Sequence, residues 1–94
     1  MIDSLKADLE FLVIDFKNNL YTIKIKDFNN PQLFVNRCQE LLNNYRFKML
    51  NSVNSLSSYR PISEYFLEEY LPSLKYHSEC QLLFENYIEK TFSD

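Results

Sequence analysis

Glycine is absent from this 94-residue chain, and that absence limits what it can build more than any residue it contains. At ordinary usage near 7%, a chain of this length would hold roughly six or seven glycines. Loops that cradle phosphate, turns that bind dinucleotides and the sharp turn that presents a nucleophilic serine all need a backbone that adopts positive φ or approaches a ligand closely. None of those sites can be assembled here in its usual form. Alanine is nearly as scarce, with Ala7 alone, while Asn, Phe, Tyr, Ile and Lys are plentiful. This is the composition of an AT-rich gene, and the structural consequence is the same whatever its origin.

The chain length suits one domain, residues 1–94. Its 46% hydrophobic and 24% charged residues are the balance of a folded protein and not of a disordered tail. A small domain has much surface for its volume, and the eight Phe and seven Tyr offset this, since each can bury on the order of 150–250 Å². The longest apolar run, Phe11-Leu12-Val13-Ile14, falls far short of the roughly 18 residues of a membrane span. Asp3, Asp8 and Glu10 stand where a secretory signal would carry lysine and then an apolar run. The expectation is a soluble, cytoplasmic chain without a membrane partner. Cys38 and Cys80 belong to no paired-cysteine motif, so two buried thiols are expected and not a disulfide.

Leu5, Leu9, Leu12 and Phe16 recur at helical spacing, with Asp3 or Ser4 to cap and Asn18-Asn19 to stop, which predicts a first amphipathic helix. From Tyr21 to Lys26 the pattern alternates apolar and polar, as in a strand. A lone strand has no partner in the chain, so this segment is expected to be an extended or irregular connector, or an edge open to another chain. Asn30 as cap and Pro31 at the first helical position start a second helix with Phe34, Cys38, Leu41, Tyr45 and Met49 inward. Val53 and Leu56 could extend it before the Ser/Asn-rich tract weakens it, and that tract, ending at Tyr59-Arg60-Pro61, reads as a loop. A third helix from Pro61 to Tyr70 carries Ile62, Phe66 and Tyr70 on one face, and Pro72 should end or kink it. A last helix from about Ser73 to Phe92 turns Tyr76, Cys80, Leu83, Phe84, Tyr87 and Ile88 inward. The expected fold is all-α, a small four-helix bundle-like domain, with Phe16, Phe34, Leu41, Tyr45, Phe66, Leu83 and Phe84 in one core.

Charge is unevenly placed. Residues 1–60 carry six acids and eight bases, net +2, whereas residues 61–94 carry seven acids and two bases, net −5. Tyrosines stand among the acids as Glu64-Tyr65, Glu68-Glu69-Tyr70 and Glu85-Asn86-Tyr87. Carboxylates beside exposed aromatics suit a basic partner protein, because charge steers the encounter and tyrosine anchors it. Glu64, Tyr65, Glu68, Glu69, Glu85, Tyr87 and Glu89 are therefore the candidate partner-binding residues, weighed against a plain solvated face.

Other chemistry is poorly served. His77 and Cys80 lie three apart and Cys38 might add a third ligand, but no four-ligand set is complete, so no metal and no cofactor are expected. A Cys80 nucleophile beside His77 has no evident oxyanion donors. The basic and aromatic stretch Tyr45-Arg46-Phe47-Lys48, with Arg37, Lys24 and Lys26, would suit nucleic acid, yet a pI near 5.1 weighs against it. No string matches a family motif; in size, acidity and helicity the profile resembles small helical antagonists and adaptors such as toxin-immunity proteins, phage inhibitors of host defence and secretion chaperones. The expected function is accordingly a non-catalytic protein-binding module, a stoichiometric inhibitor such as an immunity protein that neutralises a basic toxin or nuclease. The alternative is a self-associating helical chaperone or adaptor, a homodimer through Tyr21 to Lys26, and a small nucleic-acid-associated regulator comes third.

Overall fold

A computed structural model describes residues 1–55 and 60–93, and its regular elements are all helical, with no strand among the described residues. Helix α1 spans Asp3–Leu20 and buries Leu5, Leu9, Phe16 and Leu20, the stripe that the spacing predicts. Its ends differ from expectation. Ile2 is the N-cap and no side chain caps the helix; Asp3 lies inside the first turn, where its charge favours the amino-terminal end of the helix dipole. At the other end the helix stops at Leu20, one residue past the expected Asn18-Asn19, and the Asn19 amide donates to the Tyr45 hydroxyl at 2.7 Å.

The segment from Tyr21 to Lys26 is irregular and is not a strand. The Thr22 and Ile23 amides donate back to the Asn19 and Leu20 carbonyls at 3.2 and 3.1 Å, and a 3-10 turn follows at Ile25–Asp27. Ile23, Ile25 and Phe28 pack against the core. The apolar alternation thus records which residues plug the end of the molecule. The Tyr87 hydroxyl donates to the Ile23 carbonyl at 2.5 Å, so a backbone group that an edge strand would offer to another chain is used internally.

Helix α2 spans Pro31–Asn54. Asn30 caps it by accepting from the Gln32 amide at 2.7 Å, and Pro31 occupies the first turn, where a missing N–H costs nothing. Its buried stripe is Phe34, Cys38, Leu41, Leu42, Tyr45, Met49 and Val53. The helix takes in Asn51 to Asn54 of the polar tract; the rest of the expected loop, residues 56–59, lies outside the described residues.

The two expected carboxyl-terminal helices are one. Helix α3 runs from an α-helical turn Ile62–Tyr65 through a π-helical stretch Phe66–Tyr70 into an α-helix Leu71–Ser93. Pro72 neither ends nor divides it. In an α-helix the proline ring would press on the Glu68 carbonyl and leave it without a donor; here the preceding turns widen, and the Leu71 amide donates five residues back to the Phe66 carbonyl. One extra residue per turn rotates everything upstream by about 100° relative to the α register. Counting back from buried Cys80 and Tyr76 through Ser73 and Glu69, the inward side falls next between Phe66 and Tyr65, three and four residues earlier. Of the two, Tyr65 packs against the core, and Phe66 is 45% exposed. The expected core is corrected at that position only, with Leu83 and Phe84 half-buried against the rest.

Each of the three helices packs on the other two, and α2 runs antiparallel to α3. Phe34 at the start of α2 meets Tyr87 and Phe92 near the end of α3, with ring centroids 6.0 and 6.1 Å apart. At the other end, the Tyr65 hydroxyl donates to Asn54 at 2.6 Å. The molecule is 49 Å long and 17 Å across in both other directions. A rod this thin has little interior, so many large apolar side chains must remain outside.

Candidate functional site

The acids expected to form one surface fall into two groups. The first is gathered around Arg60, whose guanidinium donates to Glu64 at 2.7 Å and also to Glu68 and Glu69. The hydrogen bonds to Glu64 and then Glu68 push the Arg60 pKa further up. Glu69 is 1% exposed and lies inside the molecule, which corrects its place among surface contacts. The cause is the helix register: Glu69 continues the inward side that Cys80, Tyr76 and Ser73 mark along α3, and there it meets Arg60, the only cation among residues 60–69. Glu64 and Glu68 remain exposed at the rim of the same cluster, so one arginine offsets part of the charge that composition alone assigns to this end.

The two expected anchors are also committed internally. Tyr65 is half-buried, its hydroxyl on Asn54, and burial pushes its pKa up. Tyr87 stacks obliquely on Tyr21 and Phe34, spends its hydroxyl on the Ile23 carbonyl, and is raised in pKa chiefly by burial. Both tyrosines hold the fold together.

The second acidic group begins about 15 Å further along α3, taking 1.5 Å per residue from Glu69 to Glu79. Glu79, Glu85 and Glu89 are exposed, and none forms an ion pair among the described residues. Glu85 accepts from the Gln81 amide at 2.8 Å, and Gln81 accepts from Arg46. Between them stands Leu82, 56% exposed, with Glu79 and Glu85 three residues to either side and hence next to it on the helix surface. Leu82 and Leu83 form one wall of a groove of about 410 Å³ whose other wall is Val13, Ile14 and Lys17 of α1. Around the end of the molecule the sign reverses: Tyr21, Lys24, Asn86, Tyr87, Lys90 and Thr91 line a concavity of about 370 Å³.

A further groove, of about 500 Å³, runs between α2 and α3 and is lined by Asn43, Arg46, Phe47, Leu50, Tyr70, Leu74 and His77. Phe47 is 64% exposed on its edge. Sequence reasoning placed Phe47 with Tyr45 in one basic and aromatic cluster. The structure separates them: Tyr45 is buried, donating to Asp15, with the Lys48 ammonium 4.5 Å over its ring, while Phe47 faces outward. Leu67, Leu71, Leu74 and Leu82, exposed along α3, were missed altogether. Their spacing was the available signal.

Cys38 and Cys80 are both fully buried, and burial pushes each thiol up to about 11. A thiolate nucleophile needs the opposite shift and an exposed sulfur. Among the described residues no group of three or more His, Cys, Asp or Glu is placed to hold a metal ion, and no helix is long and apolar enough to cross a membrane. His77 is half-buried, and desolvation, then the Arg46 charge, lowers its pKa. The native state therefore resists a proton that the unfolded chain takes up near pH ~6.5, and stability should fall as pH drops through that value. Thermal melts should show this slope flattening on His77→Gln; an unchanged slope would assign it elsewhere.

No protein-family model, curated protein or solved structure matches the chain. Function must be read from the geometry alone.

Proposed function

We propose that the chain is a non-catalytic protein-binding module, a stoichiometric inhibitor of the immunity-protein kind, directed at a basic partner such as a toxin or nuclease. One observation carries this reading: exposed Leu82, at the lip of the groove with Val13 and Ile14, is flanked by Glu79 and Glu85, with Glu89 beyond. A largely apolar groove lined by Glu79 on the α3 side and Lys17 on the α1 side, with Glu85 beside Leu82, fits an amphipathic helix whose apolar side fills the groove while its cations meet the α3 acids. The binding surface is thereby narrowed from the whole acidic third to its distal half. Glu64 and Glu68 contribute at longer range, and Tyr65, Glu69 and Tyr87 support the scaffold.

The test uses a synthetic helical peptide with leucines on one face and lysines on the other, alongside its glutamate counterpart. The basic peptide should bind, and the acidic one should not. Reversing Glu79, Glu85 and Glu89 to Lys should weaken binding by about tenfold or more and reduce its salt dependence, with the circular dichroism spectrum unchanged. Equal affinity at low salt for the native and reversed chains would defeat the proposal.

A further inference from the structure

The groove between α2 and α3 does not end at His77. Arg46, Leu74 and His77 also line a second stretch, of about 530 Å³, with Ser78, Gln81 and Leu82. One open trough therefore follows α3 from Tyr70 to Leu82, roughly 18 Å at 1.5 Å per residue. Phe47 and Leu82 stand 64% and 56% exposed along it, with Leu74 exposed between them. Among the described residues no Asp, Glu or Lys lines either stretch. Arg46 is the one permanent charge in the trough, and it belongs to both halves.

That cation lacks a counter-ion. Among the described residues Arg37 pairs with Glu40 at 3.4 Å and Arg60 pairs with three glutamates, whereas Arg46 forms no ion pair. Its guanidinium donates from Nη2 to the side-chain oxygen of Gln81, a neutral partner that uses one of five N–H donors. Gln81 in turn donates to Glu85 at 2.8 Å, so Glu85 reaches Arg46 only through an amide. His77 stands half-buried beside Arg46, whose charge helps to keep the imidazole neutral.

We propose that the trough binds a medium-chain carboxylate, its head on Arg46 and the His77 ring, its alkyl tail over Leu74 and Phe47 towards Leu50 and Tyr70. A guanidinium matches both oxygens of a carboxylate in its own plane. A mostly apolar trough with a single fixed charge suits a ligand that is charged at one end and apolar beyond it. A wholly apolar occupant would cover Arg46 without a counter-ion, at a cost in desolvation. A helix rich in carboxylates would bring many charges to one arginine, on a chain of net charge −3. The stretch from His77 to Tyr70, roughly 10 Å, sets the length of the tail. The tail lies in the half of the trough away from Leu82, and neither Glu79 nor Glu85 lines it, so the inference stands independently of the inhibitor reading.

Titration of hexanoate, octanoate and decanoate into the full chain, followed by NMR, tests it. Decanoate should shift the signals of Phe47, Leu74 and His77 saturably. It should also raise the His77 pKa, because the bound carboxylate offsets Arg46; Tyr70 is the other ionisable group lining this half. Affinity should rise about twofold or more with each methylene added to the tail. Decanol should bind about tenfold more weakly and leave the His77 pKa in place. Arg46→Gln should bring decanoate down to the level of decanol without altering decanol itself. Because that change also removes the contact with Gln81, Gln81→Glu is the companion variant. It keeps Arg46 and places a carboxylate of the chain's own upon it, and should weaken decanoate about tenfold with the circular dichroism spectrum unchanged. No shift of any trough signal by about 10 mM decanoate would overturn the proposal. So would shifts at Val13 and Ile14 of the α1 groove instead, decanol binding as tightly as decanoate, or native affinity in either variant.

Discussion

Truncating Phe34 to alanine should cost the fold about 3–5 kcal/mol, while the same truncation at Phe66 should cost less than about 1 kcal/mol. Phe34 is fully buried at the start of α2, and its ring contacts Phe28, Tyr87 and Phe92 at centroid distances of 6.0 to 6.1 Å. Those partners come from the connector and from the end of α3, so a cavity there loosens three segments together. A domain whose whole stability is of order 5–15 kcal/mol has little margin for it. Phe66, by contrast, is 45% exposed and stacks on Tyr70 at 5.6 Å. Urea titrations of both variants check the pair. Comparable losses at the two positions would mean that α3 keeps its α register past Pro72, with Phe66 inside.

The contrast marks where sequence reading succeeds and where it stops. Stripes such as Leu5, Leu9 and Phe16, or Phe34, Cys38, Leu41 and Tyr45, are legible because unbroken α-helical period fixes which side is buried. Asn30 and Pro31 are legible because capping is local chemistry. Pro72 is not, since a proline inside an apolar pattern is compatible with a stop, a kink or a widened turn, and only packing on both sides selects the last. The segment from Tyr21 to Lys26 fails for a related reason: a short apolar alternation looks the same on a strand as on a connector that plugs one end of the molecule. Charge is the hardest. Counting acids treats Glu64, Glu68, Glu69, Glu85 and Glu89 alike, although the first three share Arg60, with Glu69 buried, and the last two form no ion pair among the described residues. The exposed leucines Leu67, Leu71 and Leu74 are present in the sequence, but an expected helix break at Pro72 assigned them to separate elements.

Replacing Arg60 with methionine should destabilise the chain more than replacing Arg60 and Glu69 together, by Met and Leu. Glu69 is buried, one carboxylate oxygen accepts from Arg60, and the other has no hydrogen-bond partner among the described residues. Removing the cation alone leaves a carboxylate shut away from water with nothing to offset its desolvation, whereas removing both leaves an apolar side chain in an apolar setting. Urea titrations and thermal melts of the two variants decide the matter. If Arg60→Met is as stable as the double variant, Arg60 is only a surface counter-ion, and Glu69 does not need it to fold.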